Sequence, residues 1–214
     1  TMVAVANCWH LALQHLRAGD DASALAIYDR AIAPHAGSMA LDLVDGSALL
    51  WRLKLRGVDV GEARWQALAV RWREWALPGW STFNDTHALL AQIGCGSREG
   101  IDAVASVMVA HTERAPAPWW REAPATASAM RAFGEERYAD CAQLLLPLLH
   151  HELGYGGSQA QRGILHLTAM EAARRAGDTA MYEALRSESA ARLPEGATAP
   201  VARKPVQRTE LRAA

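Results

Sequence analysis

The sequence predicts an all-α fold built from stacked antiparallel helix pairs. Three observations carry that expectation. Apolar residues recur at helical spacing along almost the whole chain, strand-like alternation is scarce, and glycine or proline interrupts the pattern at short intervals. Short interruptions leave helices that pack on their immediate neighbours.

The elements follow in order. Leu11, Leu16 and the alanines between them mark a first helix, closed by Gly19-Asp20-Asp21. A second is expected over 22–33, ended by Pro34, and a third over 39–56, stopped by Gly57. The fourth spans 60–76 before Pro78-Gly79, the fifth 82–93 before Gly94-Cys95-Gly96, and the sixth 98–113. Three prolines and Trp119-Trp120 make 114–124 a structured loop, with one of the indoles placed to cap the groove or meet a partner. Further helices are expected over 125–134, 137–151, 158–176 and 179–192. Pro194, Pro200 and Pro205 mark residues 194–214 as a flexible tail, leaving 1–193 as the helical domain.

Composition narrows the partners. The 214 residues suffice for one large domain, half of them are apolar, and 22 basic residues nearly balance 23 acidic ones. A net charge of −1 provides no broad basic face, so no nucleic-acid partner is expected. No apolar run approaches the ~18 residues of a membrane span, and no membrane partner is expected. Cys8, Cys95 and Cys141 are odd in number and far apart, without a CxxC pattern, which points to a reducing cytoplasm. The helical pattern begins almost at Thr1, and we expect residues before it.

The corner Gly154-Tyr155-Gly156-Gly157-Ser158-Gln159-Ala160-Gln161-Arg162 stands out. Ser158 with Gln161 three residues on has the form of a capping box, and the glycines suggest close approach to another helix or to an anion. The first helix pair has a repeat pattern as well. Leu11, Ala12, Gly19, Asp20, Ala24, Tyr28 and Ala31 fall at tetratricopeptide spacing: the alanines admit close helices, Gly19 the turn, and Tyr28 fills the gap beside the next helix. The pattern recurs weakly at Phe133-Gly134 with Tyr138 and Ala142, and at Ala176-Gly177-Asp178 with Ala184, so the array is degenerate.

Several segments, in order, resemble the tetratricopeptide repeat protein 38-like family, in its C-terminal portion. They are Asn7-Cys8-Trp9-His10, Ala26-Ile27-Tyr28-Asp29, Asp45 and Ser47 before Leu49-Leu50-Trp51-Arg52-Leu53, Gly61 with Arg64-Trp65, Phe83-Asn84-Asp85 with His87, and the 156–162 corner. The resemblance implies a right-handed superhelix of helix pairs, usually preceded by another helical half with which this chain would pair, self-association being the alternative. It implies no established reaction.

The polar residues inside these apolar segments are the candidate ligand-binding set: His10, Asp45, Arg52, Asn84, Asp85, His87 and Arg162. Asp45 and Arg52 lie two turns apart on one helical face. If the first, third and fifth helices lie side by side, His10, Asp45 and His87 line one concave wall, with His10 and Arg162 donating and Asp45 and Asp85 accepting. The expected function is a binding scaffold whose groove takes a protein, a peptide or a small ligand. The alternative is an enzyme in the same groove, with His10 or His87 as general base oriented by Asp45, and metal assistance as a variant. No cofactor and no metal are expected: HExxH, P-loop, GxGxxG and GxSxG patterns are missing. His150-His151 point about 100° apart on a helix, and Cys8 and His10 nearly opposite ways. Trp65, Leu68, Trp72 and Trp75 form a helical stripe read as core.

Overall fold

The computed structural model describes residues 2–76, 79–114, 121–150 and 155–191. Residues 115–120 of the expected 114–124 loop, with Trp119-Trp120, together with His151 and the tail, lie outside the described residues, while Ala123 and Pro124 of that loop already belong to a helix. Among those described there are ten α-helices and no strand, so the all-α expectation holds.

Helix α1, Met2–Arg17, turns Val5, Trp9, Ala12 and Leu16 inward at spacings of four, three and four. Gly19 takes φ +81° at the turn, and the Asp20 carboxylate caps α2, Asp21–Ile27, by accepting the Ser23 N–H. The helical path then widens into a π-turn over Tyr28–Ile32, whose Ala33 N–H reaches the Tyr28 carbonyl, before a 3₁₀ turn at Ala33–His35 contains Pro34.

Helix α3, Ala40–Leu55, is the central element, buried continuously from Asp42 to Leu53. It touches α1, α4 (Glu62–Ala76), α5 (Thr82–Gly94) and the π-turn. The stripe Trp65, Leu68 and Trp72 of α4 is core, as expected, with Trp75 half-buried. Trp72 Nε1 donates to Ser47 Oγ at 2.8 Å, giving the buried indole its partner.

Helix α5 begins at Ser81, whose hydroxyl accepts the Asn84 N–H. Then come α6 (Arg98–Arg114), α7 (Ala123–Gly134) with Pro124 in its first turn, and α8 (Tyr138–Leu145). The expected helix over 137–151 tightens at Leu146–His150 into a 3₁₀ segment around Pro147, which cannot donate to the α ladder. Helix α9, Gln159–Ala176, carries the expected capping box and ends on Gly177 at φ +79°. Helix α10, Thr179–Ala191, closes the described chain.

Consecutive helices from α4 to α10 contact one another, as do α1 with α2 and α3 with α4. Helices α1, α3, α5 and α7 also form a row, each in contact with the next. Helix α9 packs on α8 and also back onto α3, where Trp51 Nε1 donates to Thr168 Oγ1 at 2.9 Å.

Candidate functional site

The site grows from the contact of α3 with α5 and the start of α9. Helix α3 contributes Asp45 and Arg52 from one face. Asp45 Oδ1 accepts a hydrogen bond from Gln161 Nε2 at 3.0 Å. Burial, and secondarily the nearby Asp42 charge, oppose the favourable Gln161 bond and the Arg52 field, and push the Asp45 carboxyl up to about 6. Arg52 donates to the Ala48 carbonyl at 3.0 Å and to the Ala160 carbonyl, in the first turn of α9, at 2.5 Å. Its guanidinium lies 5.8 Å from the Trp9 ring centre. Burial lowers it to about 10, with Asp45 opposing, so it remains a cation at neutral pH.

Helix α5 contributes His87, fully buried, with Nδ1 2.8 Å from the Phe83 carbonyl. A carbonyl only accepts, so Nδ1 carries the proton and Nε2 the lone pair. Burial pushes His87 down to about 4, the Arg52 charge acting in the same direction, so the ring is neutral. Among the described residues Nε2 has no hydrogen-bond partner. Asp85 is also fully buried, and among the described residues neither of its oxygens has a partner in bonding geometry. Burial raises its carboxyl to about 7; the neighbouring Trp80 backbone opposes this but does not outweigh it. The Tyr155 hydroxyl is buried, among the described residues without a partner in bonding geometry, close to the Thr86 side chain, and burial raises it.

The glycine corner shapes the other wall. Gly157, at φ +74°, lets the chain pass so near Phe83 that a Cβ there would lie 2.4 Å from the ring. Ser158 and Gln161 complete the capping box, with Ser158 N–H to Gln161 Oε1 at 2.9 Å and Gln161 N–H to Ser158 Oγ at 3.3 Å. Of the two readings of this corner, close approach to a helix describes the geometry, because the cap is satisfied internally.

The structure therefore brings Asp45, Arg52, Asp85 and His87 into the interior and leaves other members of the set outside it. His10 is exposed: the inward stripe of α1 passes through Trp9, and the His10 ring meets that indole edge-on at 4.9 Å between centres. The wall of His10, Asp45 and His87 is corrected accordingly, with one imidazole outside and the other two groups enclosed. Asn84 is half-buried at the start of α5. Arg162 is half-buried, donates to the Gly157 carbonyl, and has a buried Nε without a partner. The orienting role given to Asp45 is also corrected: it is held by Gln161, and the Phe83 carbonyl fixes His87. The face shared by α3 and α5 is covered here by the first turn of α9.

Sequence reasoning missed the Gln161 contact with Asp45 and the burial of Tyr155. A carboxylate within the apolar run of α3 was the available signal that a distant donor must satisfy it. Among the described residues no group of three His, Cys, Asp or Glu side chains is arranged to hold a metal ion. The Cys95 thiol donates to the Gln92 carbonyl at 3.4 Å, and Cys141 is buried and raised to about 12. No described helix is long and apolar enough to cross a membrane. No family model matches the sequence, and no solved structure matches it either.

Proposed function

We propose that this chain is a helical-repeat binding module that recognises a small polar molecule, or the end of a peptide, at the side chains gathered by α3, α5 and the start of α9. One observation carries this reading. Among the described residues, both Asp85 oxygens, His87 Nε2 and the Tyr155 hydroxyl are buried atoms without a hydrogen-bond partner in bonding geometry. Such atoms destabilise a fold by about 1–3 kcal/mol each, so their retention in one region favours a ligand that supplies the partners. The row α1, α3, α5, α7 is what stacked hairpins produce, and supports the right-handed tetratricopeptide-like superhelix and the family resemblance as part of the same proposal. A reducing, cytoplasmic setting accords with it.

A second reading, catalysis, is favoured by the single His87 tautomer. The His87 Nε2 lone pair is free to accept a proton, though burial, which holds it at about 4, makes it a weak base, and Asp85 near neutrality can hold or release a proton. In this reading the base is His87, and His10 has no part.

The test is a thermal-shift screen of the full chain against a metabolite library, repeated with His87→Gln and Asp85→Asn. A metabolite that raises Tm in the parent and loses its effect in folded variants supports binding. Consumption of that metabolite would favour the enzyme. A library without effect on the parent would overturn the reading.

A further inference from the structure

The guanidinium of Arg52 is enclosed by the fold, with the whole residue 7% exposed, yet among the described residues no carboxylate forms an ion pair with it. Among the described residues, two of its five N–H groups are engaged, both by carbonyl oxygens. Its nearest acid along the helix, Asp45, is committed to Gln161. A buried cation bonded to carbonyls and an indole face, with Asp45 acting on it through space and not in an ion pair, retains capacity for an anion.

Next to it, the backbone of α9 opens. A Cβ built on Gly163 would meet just one atom within 4 Å outside its own helix backbone, Arg52 Nη2 at 4.0 Å. Gly163 is half-exposed. Helix α9 thus presents a notch at Gly163, where no side chain stands between its backbone and the guanidinium. A guanidinium fork matches a planar carboxylate through paired hydrogen bonds, and a carboxylate brings the single charge that one guanidinium balances.

We infer that, within the binding module proposed above and resting on that reading, the Gly163 notch is a carboxylate site in which Arg52 pairs with the acid group of a small molecule or of a peptide C-terminus. Both sources present the same head group.

The experiment titrates the full chain with acetate, acetamide, inorganic phosphate, and a short peptide with free or amidated C-terminus, read by calorimetry and melting. Acetate at about ten times its Kd should raise Tm by roughly 3–6 °C, and acetamide should not. A free peptide end binding more tightly than acetate, with the amidated form inert, identifies the peptide source; equal binding identifies the small molecule. Because Arg52 variants risk unfolding, the decisive substitutions are at the half-exposed position. Gly163→Asp supplies an internal carboxylate and should raise Tm above Gly163→Asn while abolishing the acetate response. Equal responses to acetate and acetamide, tighter phosphate binding, or an acetate response that survives in Gly163→Asp would overturn the inference. A metabolite from the screen that lacks a carboxylate and is insensitive to Gly163→Asp would overturn it and leave the binding module standing. Acetate binding at the notch without any metabolite hit would uphold the site and count against the module.

Discussion

Gln161 donates through Nε2 to Oδ1 of Asp45 at 3.0 Å across 116 positions of sequence. The same side chain accepts the Ser158 N–H through Oε1. One amide therefore both caps α9 and ties it to the central helix, and its two ends are used in opposite senses.

Removing that amide loses both functions. Gln161→Ala should destabilise the chain by about 2–4 kcal/mol, combining a lost cap with a buried acceptor left bare. Gln161→Glu places a second carboxylate against Asp45, so its penalty should grow from pH 5 to pH 8. Urea melts of both variants at the two pH values measure this; a pH-independent Glu penalty would refute the contact.

Asp85 should make stability fall as pH rises. Its folded value, about 7, lies above the ordinary carboxylate value, so the fold holds the proton more tightly than the unfolded chain. The advantage is complete below about pH 4 and is lost between there and about pH 7. Asp45, raised to about 6, adds in the same sense. Asp85→Asn should therefore be more stable than the parent at pH 8, by about 2–4 kcal/mol, and the difference should shrink at pH 4. Denaturant midpoints across that range decide it.

His87 works the other way. Its folded value is depressed to about 4, so its contribution is present above about pH 6.5 and is lost as pH falls through 4. Imidazole nitrogen shifts followed from pH 8 downwards should show Nε2 unprotonated until close to pH 4. A midpoint near 6.5 would mean the ring is not enclosed as described.

The Gly157 position tolerates no side chain. Gly157→Ala should cost about 2–4 kcal/mol, from a left-handed backbone and from overlap with Phe83. Adding Phe83→Leu should recover the overlap share and leave the backbone share, which a double-mutant cycle separates.

Glu136 has φ +60° in the turn after α7, a conformation that favours glycine. Glu136→Gly should raise Tm by roughly 2–4 °C, corresponding to about 1 kcal/mol of relieved strain. An unchanged or lower Tm would show that the side chain compensates for its backbone.

Much of the helix order was legible because glycine, proline and capping residues act locally. The Ser158–Gln161 box and the stops at Gly57 and Gly177 are each decided within one turn of chain. The placement of α9 on α3 was not legible: periodicity says which face is apolar and is silent on which distant face it meets. His10 was misjudged for a different reason. It follows the inward Trp9 of the stripe Val5, Trp9, Ala12 and Leu16 by one residue, and so stands about 100° around the helix from it. The π-turn at Tyr28–Ile32 has no local signature beyond Pro34 downstream.

The partners of α3 lie far apart along the chain, which has a consequence for biogenesis. Ribosomes deliver the polypeptide from the N-terminus, so Asp45 and Arg52 stand uncovered until Ala160 and Gln161 emerge more than a hundred residues later. During that interval the nascent chain holds two charged groups amid its central helix, which is buried in the finished fold. Premature termination anywhere upstream of the 155–163 corner should therefore yield a product that chaperones retain and proteases clear.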